Sequence, residues 1–201
     1  FINLKGQAQA FPNFSDQQSA ATFEQENAQF GFSTDVVHDN NGGFYSIVGS
    51  PGSPGNSDTG KIILNHVDEN GNKTVLAEGD ESNVAGDRFG ESVSICSGSG
   101  GVFFAVAAPG VSGNEGQVYY YSYTDALGVD TVTDLTAISP SANDYYGTKL
   151  QCLYHEDDEK VYIGVTDYSS TSNDVEFYLN SIDVTGTGDA TNLATSTFTN
   201  G

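Results

Sequence analysis

The sequence predicts an all-β protein: three antiparallel four-stranded blades of a β-propeller, with the ring incomplete within this chain. Three observations carry that prediction. Phe30-Gly31, Phe89-Gly90 and Tyr146-Gly147 recur 59 and 57 residues apart, and a fixed period is the mark of a repeat architecture. Each pair is followed at a constant offset by a second stretch: Val48-Gly49-Ser50-Pro51-Gly52, Val106-Ala107-Ala108-Pro109-Gly110 and Ile163-Gly164-Val165-Thr166-Asp167. A polar loop and a third apolar run come next, opening at Lys61, Gln117 and Val175. Four strands in about 58 residues is the size of a propeller blade.

Residues 1–29 are read as an N-terminal strand, Phe1 to Lys5, and a connector. The first blade, residues 30–83, has predicted strands at 32–37, 44–48, 61–67 and 74–77, with Asn70-Gly71 as the turn of its last hairpin. The second, 84–140, is the cleanest copy. Residues 89–95 alternate apolar and polar, as a half-buried strand does. Residues 102–108 are almost continuously apolar, which suits a strand covered on both faces, and Pro109-Gly110 stops it. Strands at 117–123 and 131–138 complete the meander. The third blade, 141–201, repeats the plan at 148–154, 160–165 and 175–182, with a weak last strand within 192–198.

Composition narrows the function. Twenty-seven acids face 6 bases, a net charge of -21. Such a chain does not neutralise phosphates, so nucleic acid is excluded, and an anionic membrane surface is disfavoured. No run reaches the roughly 20 apolar residues of a membrane span. The chain begins at Phe1 and lacks Met, so it reads as a processed product or a piece of a longer polypeptide. Sequons at Asn13 and Asn72 fit glycosylation of a secreted protein. Cys96 and Cys152 lie in the first strands of blades two and three, six and five residues after their glycines. They form either a disulfide or two buried thiols. Because strand side chains alternate, the one-residue offset favours opposite sides and hence the thiols.

The stretches Ala85-Gly86-Asp87-Arg88-Phe89-Gly90, Ala105-Val106-Ala107-Ala108-Pro109 and Gly116-Gln117-Val118-Tyr119-Tyr120 resemble the FG-GAP repeat of integrin α-subunit propellers. The likeness covers about residues 23–182 and implies an extracellular adhesion or surface-assembly role. Calcium-binding members carry an Asp-x-Asp/Asn-x-Asp-Gly loop between the first two strands. Here the nearest candidates are Asp39 and Asn41, and the run Glu156, Asp157, Asp158, so calcium loops look degraded and no other cofactor is implied.

No catalytic pattern stands out. His38, His66 and His155 are scattered over the repeats, no nucleophile elbow is present, and acid pairs carry no information in so acidic a chain. The expected activity is therefore non-catalytic: contact with protein partners, or with further blades or subunits that complete the ring. Carbohydrate binding and viral host attachment are the alternatives. The contact loops are placed after the second strands, at Ser50, Ser53, Asn56 and Asp58, and at Ser112, Asn114 and Glu115. Tyr119, Tyr121 and Tyr123 fall on one strand face and Tyr120 on the other, and filling space between blades is their expected work.

Overall fold

The computed structural model describes residues 29–39, 41–52, 60–79, 84–99, 101–124, 128–135, 143–184 and 190–199. These hold twelve strands in three antiparallel four-stranded sheets. The first sheet is β1 (Ser33–His38), β2 (Phe44–Ser50), β3 (Lys61–Val67) and β4 (Lys73–Gly79). The second is β5 (Ser92–Gly98), β6 (Gly101–Ala108), β7 (Gln117–Thr124) and β8 (Gly128–Leu135). The third is β9 (Lys149–His155), β10 (Lys160–Thr166), β11 (Val175–Asp183) and β12 (Ala190–Phe198). Each is a plain meander in strand order. The predicted N-terminal strand, Phe1 to Lys5, lies outside the described residues.

The sheets stack face to face, and the two joints between them are the cores. Period-2 alternation sends successive residues to opposite joints. In β6, Val102, Phe104, Val106 and Ala108 meet Ile47, Ile62 and Leu64 of the first sheet. Phe103, Ala105 and Ala107 of the same strand meet Val161, Ile163 and Val165 of the third. This two-sided burial is why 102–108 reads as an unbroken apolar run. Tyr121 and Tyr123 fill the first joint, where Tyr119 also packs, while Tyr120 fills the second. Each sheet carries a register shift in its outer pair, at Leu64/Asn65, Tyr120/Tyr121 and Leu179/Asn180.

The aromatic-glycine pairs do not begin the strands. Gln29, Arg88 and Tyr145 have φ of 52°, 62° and 49°, and Gly31, Gly90 and Gly147 have φ of 81°, 88° and 97°. Two left-handed residues flank each aromatic, so β5 starts at Ser92 rather than at Phe89. The glycine N–H then donates to the end of its own second strand, at Gly49, Ala107 and Thr166. The backbone thus repeats the same hydrogen bond in each copy, with separations of 18, 17 and 19 residues between glycine and acceptor.

Cys96 and Cys152 form a disulfide across the second joint. The one-residue offset is what permits it. In stacked sheets of like orientation, one cysteine must face forward from the second sheet and the other backward from the third. The reading of two thiols on opposite sides took each side relative to its own sheet and left out the stacking.

Candidate interaction surfaces

Each joint is closed by an aromatic-glycine plug set into a seat of small residues on the preceding sheet. Phe89 is 1% exposed and Tyr146 is 0% exposed. A Cβ at Gly60 would run into the Phe89 carbonyl, and one at Gly116 into the Tyr146 carbonyl. The Ser33 hydroxyl donates to the Gly90 carbonyl at 2.7 Å, over Gly49. Gly147 lies against Ala107 and Val118. Strand pairing makes Gly49 equivalent to Ala107, and Gly60 to Gly116. A polar link between first strands repeats as well. The Ile95 N–H donates to Asp35 Oδ2 at 2.9 Å, and the Cys152 N–H donates to Ser94 Oγ at 2.9 Å. Ser94 in turn donates to Asp35 at 2.8 Å, so one chain of hydrogen bonds crosses all three sheets.

Two faces lie outside the joints. On the first sheet, Phe32, Val36 and Phe44 are 55%, 59% and 41% exposed, and Phe30 is half exposed. Across the same face, Ile63 and Asn65 on β3 are buried, so the open part is the β1–β2 side. The third sheet shows Gln151, Leu153, Tyr162, Phe177 and Leu179, of which Leu153 is well exposed. There the Phe177 ring leans over Gly164, 3.1 Å from where a Cβ would stand.

The predicted contact loops are placed unevenly. Ser50 is buried at the end of β2, while Ser53, Asn56 and Asp58 lie outside the described residues. Ser112 is exposed in a turn where it and Gly113 are left-handed. Asn114 and Glu115 are half buried, because their carbonyls accept the Tyr145 and Tyr146 N–H groups. That loop is part of the second joint as much as of the rim.

The candidate metal residues sit on separate hairpins. Burial would raise the Asp39 carboxyl, but the Asn41 N–H and the His66 ring hold it below the ordinary carboxylate range. The Tyr162 hydroxyl and the His155 ring do the same for Asp158. Glu156 and Asp157 are exposed beside it. Among the described residues no group of three His, Cys, Asp or Glu side chains is placed to hold a metal ion. Asn72 is exposed in its turn, where its side-chain amide donates to Asp68, and Asn13 lies outside the described residues.

Sequence reasoning missed an acid pair of which one member, Asp167, is buried and the other, Glu176, is half-buried. Asp167 is 4% exposed and accepts the Glu176 N–H and the Tyr178 hydroxyl, which is also bonded to the Glu176 carboxylate. Burial first, then Glu176 and Asp144, push the Asp167 carboxyl up, against the pull of its hydrogen bonds. The only sequence signal was an acid at the end of a second strand, where the other copies have Ser50 and Ala108. No helix among the described residues is long and apolar enough to cross a membrane. No family model matches the chain, and no curated protein is significantly similar to it.

Proposed function

We propose that this chain is a non-catalytic extracellular interaction module: a run of FG-GAP-like propeller blades that joins adhesion or surface-appendage assemblies through its sheet faces. The observation that carries this reading is the β1–β2 side of the first sheet. The counterparts of Val36 and Phe44 are buried in both internal joints, Ile95 and Val102 in the first and Cys152 and Val161 in the second, yet Val36 and Phe44 are exposed here, with Phe32 beside them. A contiguous apolar patch on a chain this acidic is a contact surface in search of a partner. The disulfide and the exposed Asn72 sequon suit an oxidising, secretory setting. His66 and His155 are engaged with the carboxylates of Asp39 and Asp158 at hairpin ends, which supports a structural role for them. The carbohydrate alternative draws on exposed tyrosines and on acidic or Asn-rich loops, and the burial of Tyr120, Tyr121 and Tyr123 in the joints removes those three from its support.

The test compares the wild-type chain with Val36→Asp by cross-linking to surface extracts, alongside a glycan array. The expected result is one protein partner cross-linked at the β1–β2 side and lost in Val36→Asp, with unchanged melting. A glycan signal that survives the substitution would replace this reading with carbohydrate binding.

A further inference from the structure

The two ends of the stack are not equivalent, and the difference lies in the seat. In the first sheet the seat is Ser33, Gly49 and Gly60; in the second it is Ser92, Ala107 and Gly116. The same pairing positions in the third sheet hold Lys149, Thr166 and Val175. At Gly60 and Gly116 even one Cβ would strike the incoming aromatic's carbonyl. Val175 places a branched side chain there, and Thr166 and Lys149 add bulk where Gly49 and Ser33 allow contact. The Phe177 ring also covers Gly164, the position of Ile47 and Ala105 in the joints. The third sheet is finished by its own side chains.

The first sheet is the reverse. It carries the incoming half of a joint: Phe30-Gly31 with the left-handed φ values of the docked pairs, and Val36 at the position of Ile95 and Cys152. Ile95 and Cys152 are 4% and 5% exposed, whereas Val36 is 59% exposed. The contacts Phe30 already makes leave it 47% exposed. On the same row, Asn65 Oδ1 is buried and without a hydrogen-bond partner among the described residues. Its equivalent in the third sheet, Asn180, lies in the second joint, where Oδ1 accepts from Asn192.

Resting on the blade-assembly reading above, we propose that the stack extends in one direction only. The β1–β2 side of the first sheet docks onto a sheet of the same repeat in a partner chain, one with small residues at the Gly49 position and glycine at the Gly60 position. A second copy of this chain is not that partner. Its first two seats are filled by its own plugs, and its third is closed by Lys149, Thr166 and Val175.

The test builds the missing seat. In a chain already carrying Phe177→Val, so that no ring covers Gly164 and the Val118 counterpart is restored, Lys149→Ser, Thr166→Ala and Val175→Gly together give the third sheet the seat residues of the second. Wild-type chain should scatter light as a 21.2 kDa monomer at two concentrations. The triple variant should at least double in mass, and adding Val36→Asp should return it to monomer. Self-association of the wild type would make a second copy the occupant and overturn the proposal. A folded triple variant that stays monomeric would also overturn it. Should the triple variant not fold, Phe30→Ser and Phe89→Ser in the native chain decide. Phe30→Ser should shift the melting temperature by under about 2 °C, the ordinary surface response, while Phe89→Ser abolishes the cooperative transition. Equal losses would mean that residues of this chain already seat Phe30, and the proposal fails. Self-association is read here without any natural partner, so a negative cross-linking result above would leave this outcome standing on its own.

Discussion

Gly60 and Gly116 each have φ of 85° and stand under the carbonyl of an aromatic from the next sheet. An alanine there meets two penalties, a left-handed backbone and an overlap with main-chain atoms that have no room to shift. Together these are expected to cost about 2–4 kcal/mol. Gly79, with open space where a Cβ would be, is the control and should accept alanine with little change. Urea melts of the three alanine variants check this, and a neutral Gly60→Ala would mean the plug is not close-packed. Asp167 makes a second prediction, with a definite sign. Its folded carboxyl is held above its ordinary value, chiefly by burial. The folded state therefore keeps a proton that the unfolded state releases, and stability falls as pH rises from about 3.8 through the folded value. Asp167→Asn cannot ionise, so it should flatten that part of the profile and gain on the wild type between pH 3.5 and 7. Thermal melts across that range would show it, and a gap that narrows with rising pH would refute the assignment.

At the scale of elements, the Cys96–Cys152 bridge ties β5 to β9 and closes a loop with a sequence separation of 56. The chain-entropy relation for a loop of that length gives about 4 kcal/mol. Changing both cysteines to serine should lower the stability to denaturant by about 2–4 kcal/mol, and reducing the wild type should do the same. If reduction leaves the melt unmoved, the joint is held by packing alone. Strands were the legible part of this sequence because their signals are local: alternation over 89–95, the unbroken run at 102–108, and Gly or Pro at the stops. All twelve are read within three residues of their starts, with β12 the weakest because its polar, exposed residues carry no core pattern. The joints were less legible, since they depend on which face of one sheet meets which face of the next. That is why the cysteine offset pointed the wrong way. The glycines before Lys61 and Gln117, and the Val175 that stands in their place before Glu176, were visible in the sequence but gained meaning only when a neighbouring carbonyl stood over the glycines.

For the whole molecule the governing quantity is a net charge of -21 on 201 residues. Folding confines this excess of acids to a small volume, and self-repulsion of this kind opposes the compact state. At about 10 mM salt the screening length is about 30 Å and the acids of different sheets feel one another; at 1 M it is about 3 Å and they do not. Melting temperature should therefore climb steadily with NaCl. The same titration separates screening from specific binding. Asp39 and Asp158 are each committed to hydrogen bonds within their own sheets, and no group of three His, Cys, Asp or Glu side chains among the described residues is placed to hold calcium. CaCl₂ matched to NaCl in ionic strength should raise the melting temperature no further than NaCl does. An added rise that saturates at millimolar calcium would instead mean an ordered cation site, and Asp39→Asn against Asp158→Asn would locate it. A melting temperature indifferent to NaCl would mean that repulsion is already relieved within the fold, and the acidic surface would then be free to recruit a cationic partner without loss of stability.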